Sequence, residues 1–405
     1  MSKSHSRIIL GVCAVILLAG LGIFAAFMLR KPLVAFYRIP EQHIPAIQAA
    51  FGENVLFKLY DNNVSLYSQV REGRKPDIII TSSGQPLKNA ESLAAKNVSL
   101  SDSLFSNITT SIRTTVAKPQ DEGFTALPLL SSHFEIDINV RKMRRTTVKN
   151  INTWNDIARF IKESKKQNDD AGMVFAGRDG EVILDFLSAL TEAFEGHATY
   201  NKAVSIIQDM LQENAQKQRN FNADDIAEKL AKTPDTPLFT AVEFVKKWLK
   251  EGLIYPDSFN INKKSLGTFM ENNMASVVVM SLADHRDIAH NAIEPFTSIY
   301  FPSDITPDSR HFVAPIFYAV PFTNNKKALL KMENLIAVET QETLTRATGL
   351  APVLARCRTP DKQADDARYW VAATNTPLPG LSRETTLSDD QLHALGVALT
   401  ALIRR

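Results

Sequence analysis

The spacing of apolar positions changes along the chain, and each change predicts an element. Leu33–Phe36 is a short apolar strand, and "IPAIQAAFG" (Ile44–Gly52) is an amphipathic helix that Gly52 stops. "NVLFKLY" (Asn54–Tyr60) alternates as a strand does, and Asn63–Glu72 is a polar helix. "KPDIIITSSGQPL" (Lys75–Leu87) then enters a buried strand, Asp77–Ile80, that stops at the small polar turn Thr81-Ser82-Ser83-Gly84. Strands and helices in alternation predict a largely parallel α/β sheet.

The pattern continues with "FEIDINV", an alternating strand, and "INTWNDIARFIKESKK", a helix with Thr153 as N-cap and Asp156 three residues on. Trp154, Ile157, Ala158 and Ile161 share one face of it. "GRDG" (Gly177–Gly180) is a turn before a helical region, Glu181–Glu195. Residues 214–235 are polar and read as a surface excursion. "FTAVEFVKKWLKEGLI" is a second strong helix with Gly252 at its end. A short helix, a turn and the strand Ser276–Met280 follow, and that strand again ends in small residues, Ser281–Asp284. His311–Asn325 reads as an apolar strand, Lys326–Thr340 as an amphipathic helix and Ser388–Ile403 as the last helix.

The chain has 405 residues, 22% of them charged and 44% hydrophobic, enough for two or three globular domains. Its net charge is only +2, and four of the basic residues lie in the first 31 positions. A near-neutral body argues against nucleic acid as a partner, because phosphate binding needs a concentrated basic face. "RKMRR" (Arg141–Arg145), the densest basic cluster, reads as a solvated helix start. Cys13 and Cys357 are the two cysteines. Cys13 lies in an apolar stretch, so the body has no partner for a disulfide and no cysteine set for zinc. Ile8–Leu29 is 22 residues without a charge, long enough to cross a bilayer as a retained signal-anchor; a cleaved signal peptide is the second reading. Either sends the body out of the cytoplasm, to the periplasm or the outer side of a bacterial cell membrane.

Specific chemistries are mostly excluded. The Thr81–Gly84 turn lacks the Gly-x-Ser-x-Gly elbow of a serine hydrolase, and no phosphate-binding Gly-x4-Gly-Lys motif exists. "LADHRDIAH" gathers Asp284, His285, Asp287 and His290, but histidines five apart lie on different faces of a helix. No metal site, no cofactor and no enzyme activity are therefore expected.

Four segments in order resemble the extracellular solute-binding proteins of ABC importers, type II, the maltose-binding-like family. They are "KPDIIITSSG", "ALPLLSSHFEIDINVRKM…TWNDIARFIKESKK", "AVEFVKKWLKEGLIYPDSFN…FMENNMASVVVMS" and "GLAPVLARC". The resemblance implies an α/β, two-lobe periplasmic-binding-protein-like fold with hinge strands, after one N-terminal transmembrane helix. Lobe 1 would be 33–137 with a return at 311–360, lobe 2 would be 138–310, the anchor 1–32, and 361–405 a C-terminal helical segment. The ligand would lie between the lobes, which close by hinge rotation. Candidate ligand contacts are Tyr37 and Arg38 after the first strand, Ser82, Ser83 and Gly84 at the opening turn, and Ser132 and His133 at the hinge. Arg178, Asp179, Asp284 and Tyr318 complete the set. The pattern departs from the family in its tryptophans: Trp154 and Trp248 fall on helix core faces and Trp370 lies late in the chain. That favours a small polar solute over a long oligosaccharide. The expected function is a membrane-tethered solute-binding subunit that serves an ABC permease in the same membrane and takes a small, carbohydrate-like polar solute. The alternative is an envelope interaction or sensor protein on the same scaffold without a transport role.

Overall fold

A computed structural model of the chain describes residues 30–94, 98, 100–118, 123–167, 170–303, 312–359, 362–373 and 377–405. The apolar run Ile8–Leu29, expected to anchor the chain, lies outside the described residues. No helix among those described is long and apolar enough to cross a membrane.

Two large sheets and one two-stranded sheet organise the described residues. Among the described residues twelve strands run in chain order as β1 (Leu33–Tyr37), β2 (Leu56–Leu59), β3 (Ile78–Ser82), β4 (Leu127–Ser131), β5 (Phe134–Asn139), β6 (Gly172–Phe175), β7 (Ala275–Ser281), β8 (Phe296–Ile299), β9 (Phe312–Val313), β10 (Ile316–Pro321), β11 (Ala351–Pro352) and β12 (Pro377–Leu378). The first sheet has the order β11-β4-β10-β3-β1-β2 and the second β6-β7-β5-β8. The early β-α-β-α-β segment is parallel, as its pattern predicts: β1 pairs in parallel with both β2 and β3. The later strands make both sheets mixed, because β10 runs antiparallel between β3 and β4 and β5 runs antiparallel to β7 and β8.

Each large sheet carries its own apolar core. One gathers Phe36, Ile47, Ile79, Leu129, Tyr318 and Phe322, and the other Ile136, Ile157, Phe175, Leu187, Val245 and Val278. Trp154 and Trp248 lie in the second core, where Trp154 Nε1 donates to the carbonyl of Pro302 at 2.8 Å. This is two lobes, and the segments around Ser132, Ala314 and Leu378, where the chain joins them, lie side by side. The Ser132 N–H donates to the Pro315 carbonyl (2.8 Å), and the Ala314 N–H donates to the Leu378 carbonyl (2.8 Å). Strand β5 lies wholly in the second sheet, so the first crossover falls at Ser132–His133, before the expected boundary at 137/138.

The C-terminal segment divides between the lobes. The helix Lys362–Ala373 puts Val371 and Trp370 against the first core. The residues from 377 onward cross back: Leu378, Leu381, Leu395, Leu399 and Ile403 all join the second core. Their long helix, Asp389–Arg404, starts in a capping box of Ser388 and Gln391. Residues 214–235, expected to be a surface excursion, contain the helix Ala223–Ala231, whose Ile226, Ala227, Leu230 and Ala231 are buried. Four apolar positions in a charged background are enough for a helix that packs through one stripe.

Candidate functional site

The lobes face each other across a cavity of about 590 Å³. Lobe 1 supplies the loop after β1, the end of β3 and the start of β10. Lobe 2 supplies the helix Gly180–Glu195, the helix Lys263–Glu271, the end of β7, and the C-terminal turn around Arg383. Strand ends meeting helix starts put loops and unpaired backbone groups at the mouth of each sheet, where α/β folds place their ligands.

Five of the eleven sequence candidates line this cavity: Arg38, Ser82, Ser132, His133 and Asp284. Ser82 ends β3 and lines the cavity; its hydroxyl is buried and has no hydrogen-bond partner among the described residues. Arg38 holds a left-handed backbone (φ 57°) and its donors are committed. Its guanidinium donates to the carbonyls of Leu387 (2.7 Å) and Asn62 (2.6 Å), and its N–H donates to Asn62 Oδ1 (3.0 Å). It joins the lobes at the rim instead of reaching inward. Asp284 caps its own turn, with Ser281 Oγ 2.7 Å from Oδ2 and Lys263 Nζ 3.6 Å from Oδ1.

The other six are placed elsewhere. Ser83 knits β3 to β10: its N–H donates to the Ile316 carbonyl (2.7 Å) and its Oγ accepts from the Ile316 N–H (3.1 Å). Gly84 turns the chain at φ 85°, and a Cβ there would lie 2.4 Å from the Arg383 carbonyl oxygen. The turn after β3 thus seats the C-terminal segment as well as opening one hydroxyl to the cavity. Tyr37 lines a neighbouring groove with Asn62 and Tyr67. Tyr318 is fully buried, bonded to Thr115 Oγ1 at 2.6 Å, and burial pushes its hydroxyl pKa upward. Arg178 is exposed, and Asp179 Oδ2 accepts the Lys263 backbone N–H at 3.0 Å. Both lie at the start of the 180–195 helix without facing the cavity, because the "GRDG" turn is used to pack that helix.

Sequence reasoning missed the charged wall of lobe 2. Lys263 forms an ion pair with Glu181 and reaches Asp284. The ammonium beside it holds the Glu181 carboxyl down at about 2, and the two acids raise the Lys263 pKa. Arg383 lies 3.2 Å from Asp185, whose other oxygen accepts from Ser382 Oγ at 2.7 Å. Burial pushes Asp185 up to about 6 despite these partners. From lobe 1, His43 lies on Phe317, with ring centroids 5.7 Å apart. Burial, together with the charges of Arg383 and Lys263, lowers its pKa to about 4, so it is neutral near pH 7. One signal was legible: Asp185 is the single charge within the apolar run Val182–Leu190. The partners Lys263 and Arg383 come from segments too distant for spacing to reveal them.

Aromatic surface in the cavity comes from Phe134 and Phe317 with the two imidazoles. None of the three tryptophans lines it. Trp370 packs instead beside His133, with centroids 5.0 Å apart.

No protein-family profile and no curated protein matches the sequence. Solved structures do. The bacterial solute receptor AcbH, described as exclusive for β-D-galactopyranose, superposes with a TM-score of 0.65 at 11% identity over 93% of this chain and 99% of its own. A Bacillus subtilis protein described as a binding protein, in an open conformation, gives 0.66 at 15% identity over 92% and 93%. A chitin oligosaccharide binding protein gives 0.61 at 12% identity over 92% and 98%. The chain therefore has the two-lobe fold of solute-binding proteins.

Proposed function

We propose that the chain is the solute-binding subunit of an ABC importer and that it takes a small polar, carbohydrate-like solute between its lobes. The observation that carries this reading is the open interlobe cavity of about 590 Å³, lined by Ser82, whose buried hydroxyl has no partner among the described residues, and by the ion-paired wall of lobe 2. A volume of this size suits one or two sugar rings. Hydroxyl-rich solutes bind through fixed donors and acceptors, and Lys263, Glu181, Asp185 and Arg383 are held in place by each other. Phe317 lines the cavity beneath His43, and the absence of a tryptophan platform at the cavity among the described residues limits the length of chain it accommodates. The structural likeness to sugar receptors supports the same class of solute.

The partner in this reading is a permease in the same membrane. The uncharged run Ile8–Leu29 would tether the subunit there and raise its effective concentration beside that permease. The body would lie outside the cytoplasm. The groups at the cavity bind and orient, and the reading assigns none of them a catalytic step.

The test is thermal unfolding of the chain against a panel of monosaccharides, disaccharides, polyols and amino acids. A cognate solute at a hundredfold excess over its Kd stabilises by about 3 kcal/mol. The shift should vanish in Lys263→Met and weaken in Ser82→Ala. A panel without any shift, or a shift that both variants retain, would turn the reading toward an interaction protein that kept the scaffold alone.

A further inference from the structure

Behind the cleft wall, polar groups from three elements of lobe 2 meet out of contact with solvent. Glu135 and Asp137, two apart on β5, project from the same face of the sheet. His285 comes from the short helix Leu282–Asp287 that follows β7, and Ser298 from β8. Both carboxylates are completely buried and His285 is 5% exposed. His285 Nδ1 lies 3.0 Å from Asp137 Oδ1 and 3.2 Å from Glu135 Oε1. Ser298 Oγ lies 2.7 Å from Asp137 Oδ1 and 3.1 Å from Glu135 Oε1. The four atoms close a ring with four short edges.

Donor counting exposes the difficulty. The imidazole has one hydrogen on Nδ1 and the hydroxyl has one, so at most two of the four contacts are hydrogen bonds from these groups. Asp137 Oδ2, equally buried, has no hydrogen-bond partner among the described residues. Two buried imidazoles, His285 and His133, stand beside the two enclosed carboxylates, His133 on the outer oxygen of Glu135. One cation at the centre of the ring would make a ligand contact of each of the four atoms, whose three strongest donors lie within 4.8 Å of one another.

We propose that Glu135, Asp137, His285 and Ser298 form a binding site for one divalent transition-metal ion. One imidazole, two carboxylates and a hydroxyl suit zinc, whose four-coordinate sites accept mixed nitrogen and oxygen donors, better than calcium or magnesium, which take six or more oxygens. A tetrahedron with bonds of about 2.0 to 2.1 Å has edges of about 3.3 Å. The four observed edges of 2.7 to 3.2 Å are shorter than this by about 0.1 to 0.6 Å, so the ring opens slightly to receive the ion. The ion takes the place of the Nδ1 hydrogen, which leaves as a proton. His133 Nδ1, 3.8 Å from Glu135 Oε2, stands beside the second oxygen of that carboxylate. Asp284 and Asp287, its neighbours in "LADHRD", line the solute cavity instead, so one turn of helix presents acids to the cleft and its imidazole to the ring. The ion would brace the strand just past the first lobe crossover against the cleft wall. This inference is independent of which solute the cleft accepts.

The experiment uses the full chain, purified without chelator and then stripped of metal. Titration with zinc chloride, followed by calorimetry and by metal analysis, should give one ion per chain and a melting temperature that rises with free zinc. Asp137→Asn combined with His285→Gln should weaken binding at least a hundredfold, while His290→Asn, outside the ring, should leave it unchanged. Because the double variant removes buried partners and can fail to fold, Ser298→Cys provides a gain-of-signal arm. Its thiolate should tighten zinc and give cobalt(II) a sulfur charge-transfer band that the parent chain lacks. No saturable zinc binding by the parent chain, full binding by a folded double variant, or a folded Ser298→Cys chain without that band overturns the assignment.

Discussion

Arg383 meets Asp185 across 198 residues of sequence, with Nη1 3.2 Å from Oδ2. The contact fastens a four-residue C-terminal helix, Leu381–Glu384, to the long 180–195 helix, and both then form the lobe 2 side of the cleft. Asp185 is nearly enclosed, so its charge depends on this one guanidinium and the Ser382 hydroxyl. Arg383→Met should cost about 3 kcal/mol, toward the low end of the range for breaking a buried pair, because the arginine is partly exposed. Arg383→Met with Asp185→Asn should cost clearly less than the sum of the two. A double-mutant cycle in urea measures the difference, and additive losses would deny the coupling.

The same carboxyl and His43 impose opposite pH dependences on stability. Asp185, raised from 3.8 to about 6, favours the fold while protonated. Its contribution is complete below pH 3.8 and is lost as pH rises through 6, an effect of about 3 kcal/mol. His43, lowered from 6.5 to about 4, favours the fold while neutral. Its contribution is complete above pH 6.5 and is lost as pH falls through 4, again about 3 kcal/mol. In the parent chain the two slopes offset between pH 4 and 6. Asp185→Asn should therefore expose a loss of stability on acidification, and His43→Gln a loss as pH rises. Denaturant midpoints at half-unit pH steps report both, and parallel profiles for the two variants would contradict the assignment.

Sequence pattern carried the local structure further than the site. Alternation located "FEIDIN" as a strand, and Thr153 with Asp156 did cap the helix they were expected to cap: the Asp156 N–H donates to Thr153 Oγ1 and the Thr153 N–H to Asp156 Oδ2, both at 3.1 Å. Periodicity says which face of an element is buried but not what buries it. The final helix was legible from Ser388 onward, yet nothing in its stripe of leucines says that lobe 2 receives it. Lys326–Thr340, read as one helix, breaks at Asn334–Ile336 into two. The cleft was legible where the chain leaves a strand or crosses between the lobes, at Arg38, Ser82, Ser132, His133 and Asp284. Its charged wall depends on pairs such as Glu181 with Lys263, which only the closed topology brings together.

Lys142 and Asp170 form a second enclosed pair, remote from the cleft, at 2.6 Å with almost no exposure of either side chain. The hydroxyls of Ser164 (2.7 Å) and Ser276 (2.6 Å) also donate to Asp170 Oδ2, and the Gly172 N–H donates to Oδ1 at 2.6 Å. This carboxylate ties the ends of β6 and β7 to the helix Trp154–Gln167 and to the turn after β5. Lys142→Met leaves it charged without a cation and should cost about 3 to 5 kcal/mol. Solute affinity should be unchanged at temperatures where the variant remains folded. A loss below 1 kcal/mol in chemical denaturation would mean that the hydroxyls alone satisfy the carboxylate.

Two helical glycines predict effects of opposite sign. Gly396, in the 389–404 helix, crosses Gly180 so closely that a Cβ at 396 would lie 2.5 Å from the Gly180 Cα. A Cβ at Gly180 would lie 2.2 Å from the Leu392 carbonyl oxygen. Both obstacles are backbone, so neither can rotate away. Alanine at 396 gains about 1 kcal/mol in helix propensity, but it must drive the helices apart; overpacking of this kind costs about 1 to 3 kcal/mol or more. Gly396→Ala should therefore destabilise the chain, and it should also weaken solute binding, because Gly180 is followed directly by the cleft residue Glu181. Gly267, inside the helix Lys263–Glu271, has nothing nearer to its Cβ position than Ile288 Cγ1 at 3.9 Å. With no clash to offset the propensity gain, Gly267→Ala should stabilise by about 0.5 to 1 kcal/mol and leave binding unchanged. Melting temperatures of the two variants, measured side by side, should move in opposite directions from the parent, and a Gly396→Ala chain as stable as the parent or more so would refute the close crossing of the 180–195 and 389–404 helices.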